Sequence, residues 1–126
     1  MADEPLYLEL GREPGIRALV DRFYGLMDSL PEVGSLRGLH PEDLASSREK
    51  LFLFLVGWTG GPALYVEKFG HPRLRARHLP FAISDLERDQ WMACMRQAVD
   101  ERALSPAARD RLLAAFQGLA DHMRNR

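Results

Sequence analysis

Apolar residues recur every three to four positions along most of the 126-residue chain, the period of a helix with one buried face rather than of a strand. From Pro14 to Leu30 the stripe runs through Ile16, Leu19, Val20, Phe23, Met27 and Leu30, and Pro31 and Gly34 break it. Ser46 and Glu49 stand at the spacing of a capping box ahead of the continuous apolar run Leu51 to Val56. That run taken alone fits a buried strand equally well; the cap and the continuation to Trp58 favour a helix, which Gly60-Gly61-Pro62 ends. Ser84 and Glu87 repeat the capping pattern before a helix that turns Trp91, Cys94, Met95, Ala98 and Val99 inward. Ser105-Pro106 reads as an N-cap followed by proline at the first helical position. The last helix then buries Leu112, Phe116, Leu119 and Met123. No window alternates with period two. The pattern predicts an all-α fold, one domain over residues 1–126.

The middle of the chain departs from this regularity. Between Gly57 and Ile83 lie three prolines (Pro62, Pro72, Pro80) and four glycines (Gly57, Gly60, Gly61, Gly70). Within it, GHPRLRARHLPF is too broken for a long helix and too charged for a core strand. Pro72 suits the first turn of a short helix carrying Leu74 and His78, and Pro80 stops it. A chain that gives up regular structure to hold one side chain usually has a ligand to meet.

Composition narrows the classes. Apolar residues at 46% and charged residues at 28% suit a folded globular chain rather than a disordered one. The net charge of -1 gives no basic field for nucleic acid. One cysteine, Cys94, excludes an internal disulfide and a cysteine-based zinc ribbon. The acidic start MADEPLYLEL lacks a secretory apolar core, and no apolar run approaches the ~20 residues of a membrane span. The expectation is a cytoplasmic chain with no membrane contact.

Histidine chemistry gives the middle segment a meaning. A neutral imidazole is the commonest protein ligand for transition metals, and a single axial histidine suffices for haem, whose porphyrin supplies four further nitrogens. A protein-only metal site lacks ligands here: there is no HExxH, and His40, His71, His78 and His122 are scattered. Haem propionates need cations, which Arg73, Arg75, Arg77 and His71 can supply. Leu79, Phe81 and Ile83 can cover the porphyrin face. The bland alternative is a surface histidine among solvated arginines.

GGP at Gly60 to Pro62, the run GHPRLRARHLPFAIS from Gly70 to Ser84, and ERDQWMACM from Glu87 to Met95 decide between these. Together they resemble the truncated haemoglobins, specifically the second group with its two-over-two helical sandwich, over nearly the whole chain from about Leu8. The resemblance implies that His78 binds the iron of haem b. It implies that Tyr24, Trp91 and His40 form the distal, potentially catalytic, set. Ser47 and Leu51 match pocket-facing positions, and Lys50 and Arg77 match cations that meet the propionates. Phe23, Phe54, Leu55, Tyr65, Leu74, Phe81 and Met95 would line the pocket or pack beneath it. His40 stands where many members carry phenylalanine or tyrosine, and the PEDL segment after it is a residue shorter than in some relatives. Thr59 replaces a frequent aromatic, which implies a side route into the pocket.

The function so implied is reversible binding of oxygen, nitric oxide, carbon monoxide or peroxide, with slow oxygen release that suits redox or gas chemistry better than transport. Peroxidase-like chemistry and nitric oxide dioxygenation are alternatives within this reading. The latter needs an external reductase, since no GxGxxG motif is present. A haem-free helical interaction module, with RLRAR as a basic docking turn, is the alternative of a different class.

Overall fold

Gly11, in the left-handed region at φ 91°, turns a short first helix, α1 (Leu6–Glu9), into the long α2 (Arg12–Ser29) in this computed structural model, which describes residues 5–126. The corner is tight. A Cβ on Gly15 would stand 1.6 Å from the carbonyl oxygen of Leu10, so only glycine lets the turn close on the helix. α2 therefore starts two residues before Pro14, which falls within its first turn. It ends at Ser29, where Leu30 goes extended and Pro31 opens a 3-10 turn (Pro31–Val33). Gly34 does not break the chain further; it begins a four-residue helix, α3 (Gly34–Arg37).

The run LFLFLV is helical, within α4 (Ala45–Trp58), but the expected Ser46–Glu49 cap does not form. Asp43 Oδ1 accepts from the Ala45 amide at 2.9 Å and starts the helix one residue before Ser46, which leaves Ser46 inside the first turn. Glu49 instead receives the Arg17 guanidinium of α2 at 2.8 Å. At the other end the Gly61 amide donates to Val56 O at 2.8 Å, with Gly60 at φ 108°.

The proline-rich middle holds two short helices, α5 (Leu64–Phe69) and α6 (Leu74–His78). α5 was not expected. Pro72 lies before α6 rather than in its first turn, because Arg73, at the N-cap position, takes the left-handed conformation at φ 47°; Pro80 follows the end as expected. Next comes α7 (Asp85–Asp100), which carries the complete Ser84–Glu87 capping box. α8 (Pro106–Met123) follows, with Ser105 Oγ accepting from the Ala108 amide at 3.2 Å.

α2 packs against both α4 and α7, and α7 against α8, giving two helix pairs laid one over the other. No strand occurs among the described residues. Phe23, Leu19 and Ile16 of α2, Leu55 of α4, Met95 of α7 and Phe116 of α8 are fully buried between the pairs. Each such side chain contributes roughly 1.5–3 kcal/mol. Among the described residues no helix is long and apolar enough to cross a membrane.

Candidate functional site

The stripes of α7 and α8 do not disappear wholly into the core. Trp91, Leu119 and Met123 are only half-buried because they face a cavity of about 500 Å³. α2 contributes Tyr24 to its wall, α4 contributes Ser47, Lys50, Leu51 and Phe54, and α5 contributes Tyr65. The α6 segment adds Leu74, Arg77, His78, Phe81 and Ile83, while His40 and Pro41 close the side after α3. The size is that of a ligand site, and the lining is mostly apolar with a few polar groups set into it.

His78 is half-buried on this wall, and its Nδ1 lies 2.6 Å from the carbonyl of Leu74, one turn earlier in α6. A carbonyl only accepts, so Nδ1 carries a proton, and in the neutral ring the lone pair is on Nε2. His40 repeats the arrangement, with Nδ1 3.0 Å from Leu36 O. Burial lowers the His40 pKa against the opposing pull of that hydrogen bond, and the positive Arg37 and nearby His78 lower it further. At neutral pH its ring is uncharged. Its centroid lies 6.1 Å from the Tyr24 ring, edge to face.

Burial raises the Tyr24 phenol well above its ordinary range, so the hydroxyl stays protonated. It donates to Ser47 O at 3.3 Å, the long end of a hydrogen bond. The Trp91 indole is held by Phe23 at 5.2 Å and Phe116 at 5.7 Å, and its N–H has no acceptor among the described residues. Cys94 is buried off the cavity, its thiol pushed up to about 11 by desolvation, so it offers no thiolate.

The cations sort themselves by geometry. Arg17, Arg22, Arg37, Arg48, Arg88, Arg109 and Arg124 each pair with a carboxylate. Arg77 and Lys50, on the cavity wall, have no carboxylate partner among the described residues. The other expected cations do not border the cavity. Arg75 donates to His122 O and Arg124 O beyond it, Arg73 stands at the N-cap position of α6, and the His71 Nδ1 accepts from the Arg73 amide at 3.1 Å. Leu79 also turns outward, 48% exposed, whereas Phe81 and Ile83 face the cavity as expected. Phe23, Leu55 and Met95 lie buried outside the cavity lining. Thr59 opens no side route: it is buried, with its hydroxyl on Leu55 O at 2.7 Å.

Two residues of α7, of which Glu87 lines the cavity, make bonds beyond the capping expected from the sequence. Glu87 accepts from Ser84 N and Oγ and from Ser35 Oγ, and those bonds hold its carboxyl down to about 2. Gln90, immediately before Trp91 on α7, accepts from Leu36 N at 2.8 Å. These two bonds tie α3, and so His40, to the helix that carries Trp91. The Ser84–Glu87 spacing was the available signal for the first; α3 is too short to have announced the second.

A family model described as bacterial-like globin matches residues 5–125. The chain belongs to that family. It is 40% identical over 119 residues, 94% of this chain and 87% of the relative, to the group 2 truncated hemoglobin of Bacillus subtilis (strain 168). The group II 2-on-2 hemoglobin from Agrobacterium tumefaciens superposes with a TM-score of 0.93 at 44% identity, over 99% of this chain and 97% of that one. A truncated oxygen-avid haemoglobin from Bacillus subtilis gives 0.87 at 39% identity, over 97% and 100% of the two chains. This globin is thus a group II truncated haemoglobin with the two-over-two fold, and the family implies haem and a small gas ligand such as oxygen.

Proposed function

We propose that this globin holds haem b through Nε2 of His78 and binds oxygen tightly with Trp91, Tyr24 and His40, in gas or redox chemistry rather than transport. One observation carries the reading: the bond from His78 Nδ1 to Leu74 O leaves an oriented lone pair on a mostly apolar cavity. Bonding of the second ring nitrogen to a backbone carbonyl is how ligating histidines are usually fixed. The donor set fits the group further. Lys50 and Arg77, at the wall, have no carboxylate partner among the described residues and suit two carboxylates, and Leu51, Phe54, Leu74 and Phe81 supply apolar cover.

When bound, haem supplies an iron that takes up a diatomic ligand reversibly. The polar residues then act on that ligand. Trp91 offers an N–H with no acceptor among the described residues, and Tyr24 offers an O–H already engaged with Ser47. Each donor that meets developing negative charge slows release. The relative of this fold named oxygen-avid supports tight binding.

A second reading, peroxide reduction, is favoured by the uncharged His40 ring, whose Nε2 is free to accept a proton at the cavity. Sustained nitric oxide dioxygenation would draw electrons from a separate reductase.

The test is the absorption spectrum of the ferric and ferrous protein. The expected result is an intense Soret band with a five- or six-coordinate histidine signature, abolished in His78→Ala. A colourless protein, or a His78→Ala variant with the unaltered spectrum, overturns the proposal.

A further inference from the structure

We infer that Asn125, in the stretch after α8, is the positioning residue that sets where His78 stands; the inference rests on the iron-ligand role proposed for His78. Its side-chain amide is half-buried and saturated. Nδ2 donates to His78 O at 3.0 Å and to Phe81 O at 2.9 Å, while Oδ1 accepts from Ile83 N at 3.0 Å. The main chain doubles the attachment, with Asn125 N and Arg126 N donating to Ile83 O at 2.9 and 3.1 Å. Arg75, one turn before His78, closes the clasp from the other side by donating to His122 O and Arg124 O.

α6 needs this help. It has five residues, no side-chain cap at its start, and opens on Arg73 in the left-handed conformation. A helix of that length is not stable on its own. Past its end the His78 carbonyl has one main-chain donor, Phe81 N at 3.0 Å, and Pro80 supplies none, so the second lone pair falls to a side chain. One asparagine answers both needs, because only an amide side chain donates two bonds and accepts a third in so short a reach. His78 is therefore fixed twice: its ring by Leu74 O inside α6, and its backbone by Asn125 from outside. Its Nε2 direction follows from the two together, which makes Asn125 an outer-shell determinant of the iron bond.

The geometry separates donation from mere filling of space. Asn125→Asp keeps the shape and the acceptor for Ile83 N, but turns a carboxylate oxygen toward two carbonyl oxygens. Asn125→Ala removes these three side-chain bonds together with the long one, 3.4 Å, that Oδ1 accepts from Arg126 Nη1. Full-length protein reconstituted with haem is compared for haem transfer to excess apomyoglobin and for the iron–histidine stretching band in resonance Raman spectra of the ferrous, ligand-free form. Haem-free protein is compared by amide hydrogen exchange at residues 79–83. Both variants are expected to lose haem about ten- to a hundredfold faster, to shift or broaden the iron–histidine band, and to exchange faster at 79–83. An Asn125→Asp protein matching the wild type in all three overturns the inference. A wild type lacking any iron–histidine band instead overturns the role of His78, and the exchange result still decides whether the clasp holds the segment. Should either variant fail to fold, the other gives the same comparison.

Discussion

Replacing Trp91 by phenylalanine should speed oxygen dissociation more than replacing Tyr24 by phenylalanine. The asymmetry comes from the hydrogen-bond accounts of the two donors. The Tyr24 hydroxyl already donates to Ser47 O, so a bond to the ligand is gained only by giving up or sharing that one. The Trp91 N–H has no acceptor among the described residues, so a bond to the ligand is a clear gain. A neutral hydrogen bond contributes about 0.5–1.5 kcal/mol net, and about 1.4 kcal/mol is a factor of ten. Trp91→Phe should therefore raise the off-rate about two- to tenfold. Tyr24→Phe should raise it by less, since the Ser47 carbonyl lies within α4 and keeps its helical partner. The ring contacts of Trp91 with Phe23 and Phe116 are partly kept by phenylalanine, so folding is not the issue. The assay is stopped-flow displacement of oxygen by excess carbon monoxide. An unchanged off-rate in Trp91→Phe, or a larger effect from Tyr24→Phe, would refute this ordering of the donors.

His40→Phe should leave the Soret band in place but slow reaction with hydrogen peroxide at neutral pH, because it removes the uncharged ring nitrogen available as a base; an equal rate removes the support for peroxide chemistry. Gly15→Ala should cost at least the upper part of the about 1–3 kcal/mol typical of overpacking, since the methyl meets a backbone oxygen at 1.6 Å rather than a movable side chain. A urea midpoint equal to that of the wild type would contradict the α1–α2 corner described above. Glu87 is held down to about 2 by Ser35 and Ser84, below its ordinary value of 4.5, so its contribution is fully present above pH 4.5 and disappears as pH falls toward 2. Glu87→Gln should accordingly be less stable at neutral pH and show a shallower acid loss across that window in urea titrations of the haem-free protein. Parallel acid limbs would show that the carboxylate is not linked to folding.

What the sequence made legible was local chemistry. The Ser84–Glu87 box and the Ser105-Pro106 start formed because every partner lies within one turn. The Ser46–Glu49 match failed because Asp43 reached the amide of Ala45 first and Arg17, distant in sequence, took Glu49. α1, α3 and α5 are each six residues or shorter, too brief to show a period. His78, Tyr24 and Trp91 came from the resemblance, and the structure brings all three to one cavity. The cations show the limit most plainly. Successive residues of α6 rotate about 100°, so Arg77 faces the cavity while Arg75 reaches α8, and no feature of RLRAR says which does which. Asn125, bonded 47 residues away, leaves no local trace at all.

The two cavity histidines sharpen the question of which one holds iron, because their rings are prepared alike. Each spends Nδ1 on a carbonyl four residues back, Leu36 for His40 and Leu74 for His78, and each keeps Nε2 free. Ring chemistry therefore does not choose between them; their supports do. His78 hangs from a segment clasped by Asn125 and Arg75 and stands on the same helix as Arg77, a cation on the same wall with no carboxylate partner among the described residues. His40 follows a four-residue helix pinned to α7 through Ser35–Glu87 and Leu36–Gln90, beside Tyr24 and close to the positive Arg37. Arg37 is already engaged by Asp28 at 3.0 Å and by the carbonyls of Pro41 and Glu42, so it has little left to offer an acidic cofactor at that position. On the function proposed above, a porphyrin's carboxylates would settle on the Arg77 side, and His78 would be the ligand. His40 would then be left uncharged and available to whatever the iron binds.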